Sequence, residues 1–113
     1  MNWIPLDSIS QLEDIKKQSE PVLIFKHSTR CPVSSMAKRN LELEAILLPE
    51  NVQTYFLDLI KFRDLSNQIA EMWKIKHESP QVLLIYNKEC IYNSSHNEIS
   101  IADIVVKIKE LAH

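Results

Sequence analysis

The stretch Pro21-Val22-Leu23-Ile24-Phe25-Lys26-His27-Ser28-Thr29-Arg30-Cys31-Pro32-Val33-Ser34 decides the fold. Its first five residues are apolar without a break and too few for a helix, as in a strand buried on both faces. The spacing predicts a strand over Val22–His27. Pro32 then suits the first turn of a helix, where its missing N–H would have had no intrahelical partner. Cys31 therefore lies between a strand end and a helix start, facing the positive end of the helix dipole. That field favours the thiolate, the reactive form of cysteine. Three residues on, where a redox dithiol would carry its second cysteine, stands Ser34. A Cys-x-x-Ser arrangement attacks a sulfur but closes no local disulfide. The alternative, a small buried hydrophobe at a helix start, sits badly with the polar neighbours His27, Ser28, Thr29 and Arg30.

Outward from this stretch the chain alternates. Asp7 to about Lys17 reads as a helix, with Asp7, Ser8 or Ser10 as possible caps and Ser10-Gln11-Leu12-Glu13 as a possible capping box. From Pro32 a long helix carries Val33, Met36, Ala37, Leu41, Ala45 and Leu48 at spacings of three and four, one apolar stripe, and Pro49 ends it. Val52–Leu59 reads as a strand and Asp64–Lys74 as a helix with Leu65, Ile69, Met72 and Trp73 inward. Gln81–Tyr86 is a strand, Asn87-Lys88 a tight turn, and Glu89–Asn93 the return strand. Asn87 tolerates the positive φ that such a turn needs. Ser100-Ile101-Ala102-Asp103 opens a last helix with Ile101, Ile104, Val105, Ile108 and Leu111 on one face. Strand–helix–strand units imply right-handed crossovers and a sheet covered by helices. The expected architecture is α/β in the thioredoxin order of elements: a central mixed sheet of four to five strands, a C-terminal antiparallel hairpin and about four flanking helices.

Composition narrows the class. The 113 residues make one domain, 1–113, with an apolar fraction of 45%, a charged fraction of 25% and a net charge of −2. No clustered basic face suggests nucleic acid. No apolar run approaches the 18 or so residues of a membrane span. The N-terminus, Met1-Asn2-Trp3-Ile4-Pro5-Leu6-Asp7, has neither a basic nor an apolar signal region. Two cysteines without a secretion signal argue for a reducing, cytoplasmic setting and reactive thiols. Glycine is absent, which excludes dinucleotide fingerprints and phosphate-cradling loops.

Other residues are candidates for the same site. Arg30 and Lys26 would attract an anionic low-molecular-weight thiol, and His27 would either hydrogen-bond in the site or finish the strand. Ser34 would donate to the Cys31 sulfur or serve only in the first helical turn. Ser79-Pro80 stands just before the third long strand, and in a thioredoxin fold that loop passes the active cysteine, its proline often cis. His77 and Glu78 belong to the same loop. The return strand would bring Ser94-Ser95-His96-Asn97 toward Pro80, forming an anion-accepting corner or merely a polar helix entry. Cys90 reads as a packing residue, since resolving chemistry needs Cα atoms about 4.4–6.8 Å apart. No Cys/His pair has the spacing of a structural zinc motif, so no metal is expected.

Phe25-Lys26-His27-Ser28-Thr29-Arg30-Cys31-Pro32-Val33-Ser34 and His77-Glu78-Ser79-Pro80-Gln81-Val82-Leu83 resemble the monothiol bacilliredoxin, or YtxJ-like, family. That family carries a Lys-His-Ser lead-in, a Thr-Cys-Pro-Ile-Ser type site and a His-Glu-Ser-Pro-Gln-Val block; Ser95-His96 also fits it. Two residues depart from the pattern: Arg30 stands where threonine is expected, and Cys90 is not a family feature. The resemblance implies a thioredoxin-like thiol–disulfide oxidoreductase of the bacillithiol pathway, a monothiol enzyme that removes bacillithiol from protein mixed disulfides through Cys31. Bacillithiol, a cysteine–glucosamine–malate thiol, would be a co-substrate rather than a tightly bound cofactor, and S-bacillithiolated proteins the partners, with neither nucleic acid nor membrane. By the same resemblance Pro80 would shape the substrate groove and Lys26, Arg30, Ser95 and His96 would hold the malate end; Pro32, Ser79 and His27 are further candidates for substrate binding by their places beside Cys31 and Pro80.

The residues leave rivals standing. A glutaredoxin-like exchanger would use another small thiol. An iron–sulfur carrier would want small residues after its cysteine, which Pro32 and Val33 are not. A non-catalytic thioredoxin-fold binding module would tolerate Cys31→Ser.

Overall fold

Alternate residues of β2 (Val22–His27) face different helix layers, and all six are buried. Val22 and Ile24 pack toward α1 (Ile9–Lys17) and α3 (Arg63–Trp73), with Leu12, Ile15, Leu65, Ile69 and Trp73. Leu23 and Phe25 pack toward α2 (Pro32–Leu43) and α4 (Ile101–Glu110), with Ala37, Leu41, Ile101, Ile104 and Ile108. The uninterrupted apolar run is thus the signature of a central strand with a helix pair on each side. The computed structural model describes residues 1–111.

β2 lies at the middle of a five-stranded sheet of order β1-β3-β2-β4-β5, formed with β1 (Trp3–Pro5), β3 (Gln53–Asp58), β4 (Gln81–Tyr86) and β5 (Glu89–Ser95). β1 and β2 run parallel to β3, and β4 runs antiparallel to both β2 and β5. This is the mixed α/β sheet with a C-terminal hairpin and four helices that the element order predicts. Among the described residues no helix is long and apolar enough to cross a membrane.

Four local differences have physical causes. β1 goes unmarked in the sequence because it has three residues and ends in a proline; its pairing with β3 alone makes it a strand. Of the three candidate caps Ser8 takes the position, and the capping box pairs it with Gln11 rather than Ser10 with Glu13, Gln11 Oε1 accepting from the Ser8 N–H at 3.0 Å. α2 stops at Leu43, and a separate 3-10 turn, Ala45–Leu47, precedes Pro49. The expected stripe of α2 is also rotated: its buried residues are Ser34, Ala37 and Leu41, while Val33 is 45% and Met36 62% exposed.

A chain without glycine must place other residues at positive φ. Asn87 (52°) and Lys88 (71°) make the β4–β5 turn, Lys74 (57°) ends α3, and His96 (54°) turns the chain out of β5. Positive φ at both turn residues matches the right-handed twist of the hairpin. A bulge at Leu84/Ile85 sets Tyr92 opposite Leu84 and Cys90 opposite Ile85.

Candidate active site

The C-terminal ends of the parallel strands gather the site. After His27 the chain crosses Ser28, Thr29 and Arg30 and enters α2, with Cys31 as the N-cap residue (φ −108°, ψ 118°) and Pro32 in the first turn. The Cys31 N–H donates to Ser28 O at 3.2 Å, and Cys31 O accepts the first helical bond from the Ser35 N–H at 3.0 Å. Cys31 is half-buried and unpaired in any disulfide, while Thr29, Arg30 and Pro32 around it are exposed.

Ser34 lies on the helix face turned away from solvent and is fully buried. Its Oγ accepts from the Ser28 N–H at 3.0 Å and lies 2.7 Å from His27 Nδ1. The expected Ser34-to-sulfur hydrogen bond is replaced by these two: the hydroxyl pins the lead-in to Cys31 instead of touching its sulfur. His27 is likewise an internal support rather than a substrate contact, since it is 5% exposed between the rings of Phe25 and Phe56. Burial and the Lys38 cation push the imidazole below its ordinary range, against the Ser34 hydrogen bond and the carboxylates of Asp58 and Glu42. His27 is accordingly neutral at pH 7.

The Ser79–Pro80 peptide bond is cis, and Pro80 is buried at the head of β4. Pro80 O accepts from the His96 N–H at 3.0 Å, which places the Ser94–Asn97 segment against the proline loop. Ser95 Oγ donates to Glu78 Oε1 at 2.8 Å. His96 is exposed and helps to line a groove of about 360 Å³ beside Cys31, with Pro32, Val33, Met36, Asn97 and Ile99 as further walls. The exposure of Val33 and Met36 thus has a counterpart in space. Val33 and Met36 were not legible as site residues, because a helical stripe read from spacing alone assigns apolar side chains to the core, whereas Asn97 belongs to the corner the sequence marked.

Lys26 requires a correction. Expected at an anion, it is fully buried on the opposite sheet face from His27, because neighbouring strand residues alternate. Its Nζ donates to Ser66 O at 3.2 Å and lies 3.3 Å from His77 Nδ1. A side chain sealed in this way does not meet a solvent-borne malate. Of the four residues expected to hold that group, Arg30 and His96 remain exposed, Ser95 is bonded to Glu78, and Lys26 is withdrawn.

Cys90 stands at the other end of the sheet. It is opposite Ile85, which pairs with Val22, whereas Lys26 pairs with Gln81. The four steps from Val22 to Lys26 span roughly 13 Å at the strand rise, and Cys31 lies beyond Lys26. Disulfide reach is excluded. Burial pushes the Cys90 thiol up, against hydrogen bonds to the Tyr92 and Leu84 backbone. Among the described residues no three His, Cys, Asp or Glu side chains group to hold a metal ion.

Residues 4–104 match the monothiol bacilliredoxin family, BrxC. Among solved structures, a thioredoxin-fold protein proposed as an oxidoreductase is 32% identical, with 94% of this chain and 92% of that chain covered and a TM-score of 0.79. The thioredoxin Mala s 13 of Malassezia sympodialis is similar in fold at 14% identity, covering 99% of this chain and 92% of its own, TM-score 0.75. Thioredoxin from Trypanosoma brucei brucei is 11% identical over 98% of this chain and 91% of its own, TM-score 0.77.

Proposed function

The chain belongs to the monothiol bacilliredoxin family, and from that membership we propose that it is a thiol–disulfide oxidoreductase that removes bacillithiol from protein mixed disulfides. The observation that carries the one-cysteine mechanism is the pairing of Cys31 at the α2 N-cap with Ser34 one turn on, while Cys90 sits out of reach at the far sheet end.

In the first step the Cys31 thiolate attacks the bacillithiol sulfur of the mixed disulfide. A Cys31–bacillithiol disulfide forms, the protein–bacillithiol S–S bond breaks, and the protein leaves as a thiolate that takes a proton from water. In the second step the thiolate of another bacillithiol attacks the bound bacillithiol sulfur. Bacillithiol disulfide departs and Cys31 returns as thiolate. The two steps sum to thiol–disulfide exchange with no net change in electrons.

Cys31 stands at the N-terminus of α2, where the helix dipole places partial positive charge. Ser34 and His27 position the Ser28–Cys31 lead-in. Pro80 O holds the His96 N–H, His96 lines the groove together with Pro32 next to Cys31, and Arg30 offers a cation to an anionic small thiol. The protein works in the cytoplasm, where small thiols are kept reduced.

Reduced protein incubated with oxidised bacillithiol, and separately with oxidised glutathione, tests the reading by intact mass. A bacillithiol adduct that forms much faster than the glutathione adduct, and is absent in Cys31→Ser, is expected. Equal rates with both would reduce the protein to a generic monothiol exchanger, and no adduct with either would leave a non-catalytic scaffold.

A further inference from the structure

Lys26 is a fully buried amine in a strand whose other members are apolar or aromatic, and no step above uses it. No carboxylate neutralises it among the described residues: its hydrogen-bond partners are Ser66 O, in the first turns of α3, and His77 Nδ1, three residues before Pro80. An ammonium group only donates, so His77 must present an unprotonated Nδ1 and carry its proton on Nε2. Ser66 Oγ lies 3.3 Å from the same nitrogen. Burial, the Lys26 and Arg63 cations all hold His77 below its usual range, against Glu78.

The strand partner of Lys26 extends the arrangement. Gln81 pairs with Lys26 across β2 and β4 and is also fully buried. Its Nε2 donates to Lys76 O at 3.0 Å, and its Oε1 accepts from the Glu78 N–H at 3.5 Å. Two buried polar side chains at one sheet position therefore grip the residues on both sides of His77 and His77 itself. The segment they hold leads straight into Ser79 and Pro80, at the sheet end where β2 runs out toward Cys31, and Pro80 O holds the His96 N–H of the groove. An apolar side chain at position 81 would remove the partners of Lys76 O and the Glu78 N–H, and one at position 26 would remove the donor to His77 Nδ1.

We propose that Lys26 is a positioning residue for disulfide exchange, acting through His77 to set the Lys76–Pro80 segment against which the incoming disulfide lies. The proposal rests on the thiol-exchange reading above. It separates two properties of the site. The nucleophile is prepared on the α2 side by the helix cap, Ser34 and His27. The surface that presents the substrate disulfide is set from the α3 side by Lys26.

The test measures two rates for Cys31 in the wild type, Lys26→Met, His77→Leu and His77→Asn. One is the reaction with a bacillithiol–peptide mixed disulfide, and the other is alkylation by iodoacetamide, which needs no presenting surface. Amide exchange over residues 76–82 is followed alongside. The expected result is a fall of about tenfold or more in the disulfide rate for Lys26→Met and His77→Leu. Alkylation stays unchanged, exchange over 76–82 rises, and His77→Asn, which keeps an acceptor near Nδ1, recovers most of the rate. An unchanged disulfide rate in both damaging variants overturns the proposal. So does an equal fall in both rates, which would place Lys26 in control of the thiol rather than the loop. If the wild type proves inert toward the disulfide, the exchange reading fails. Amide exchange then decides the tether alone: a rise confined to 76–82 in Lys26→Met sustains it, and no rise removes it.

Discussion

Two cysteines occupy opposite ends of one sheet, and their surroundings differ in almost every respect. Cys31 caps a helix beside exposed residues, a groove and a proline loop, on a lead-in fastened by Ser34. Cys90 lies in the hairpin at a bulge, its Sγ donating to Tyr92 O at 3.3 Å and its body packed against the α1–α3 core. The first is placed for attack and the second for packing, and the thiol itself is the same. What separates them is the strand end they occupy: the parallel strands of an open sheet deliver their loops, and hence their reactive residues, to one edge.

The sharpest way to break this comparison is to exchange the thiols' fates. Cys31→Ser is expected to abolish mixed-disulfide reduction altogether, measured as release of bacillithiol from a modified protein, because no second thiol reaches the substrate. Residual turnover that disappears in Cys31→Ser/Cys90→Ser would show that Cys90 is not confined to packing.

A smaller effect sharpens the Cys31 side. Ser34→Ala removes the partner of both the Ser28 N–H and His27 Nδ1 in a buried setting. A loss of about 1–3 kcal/mol in unfolding free energy is expected, read by urea denaturation. An unchanged midpoint would mean that water replaces the hydroxyl.

The pH dependence of stability probes the buried amine between the two ends. Burial lowers Lys26 to about 8 from 10.5. Below pH 8 both folded and unfolded states carry the proton and the burial penalty is fully present. Between about 8 and 10.5 the unfolded state holds the proton and the folded state does not, so stability rises with pH. Cys90 and Tyr55, both raised by burial, act in the opposite direction at alkaline pH. The difference between wild type and Lys26→Met isolates the lysine. Wild type should gain about 1–2 kcal/mol relative to the variant across that window, measured by denaturant titration at stepped pH. A flat difference curve would mean that Lys26 remains charged and well solvated.

The smallest effect belongs to Cys90 alone. Cys90→Ser should leave disulfide exchange unchanged and shift unfolding by no more than about 1 kcal/mol. Mild oxidation of the wild type should give no internal loss of two hydrogens by intact mass.

Much of this was legible in the chain. The apolar run of β2, the proline after Cys31 and the serine in place of a second cysteine are local signals, and local signals survive without coordinates. The turn at Asn87-Lys88 was legible because asparagine is among the few residues that accept positive φ, and the bacilliredoxin likeness rested on two short blocks of residues. The spacing of Val33 and Met36 was misleading, because periodicity reports an apolar face but not whether that face meets a core or a groove. Lys26 was misplaced for a related reason: a cation between Phe25 and His27 reads as site chemistry until strand alternation turns it to the other side of the sheet.

By itself the sequence determined the order of elements from α1 onward, the central strand, the capping position of Cys31 and its single-thiol character, since each depends on residues close together in the chain. Only the tertiary structure decided what those residues meet. It joined Lys26 to His77 across 51 positions, set His96 on Pro80, and carried Cys90 to the far end of the sheet. Those outcomes depend on strand order, register and the bulge in β5. They arise from packing between distant segments, and no local run of residues encodes them.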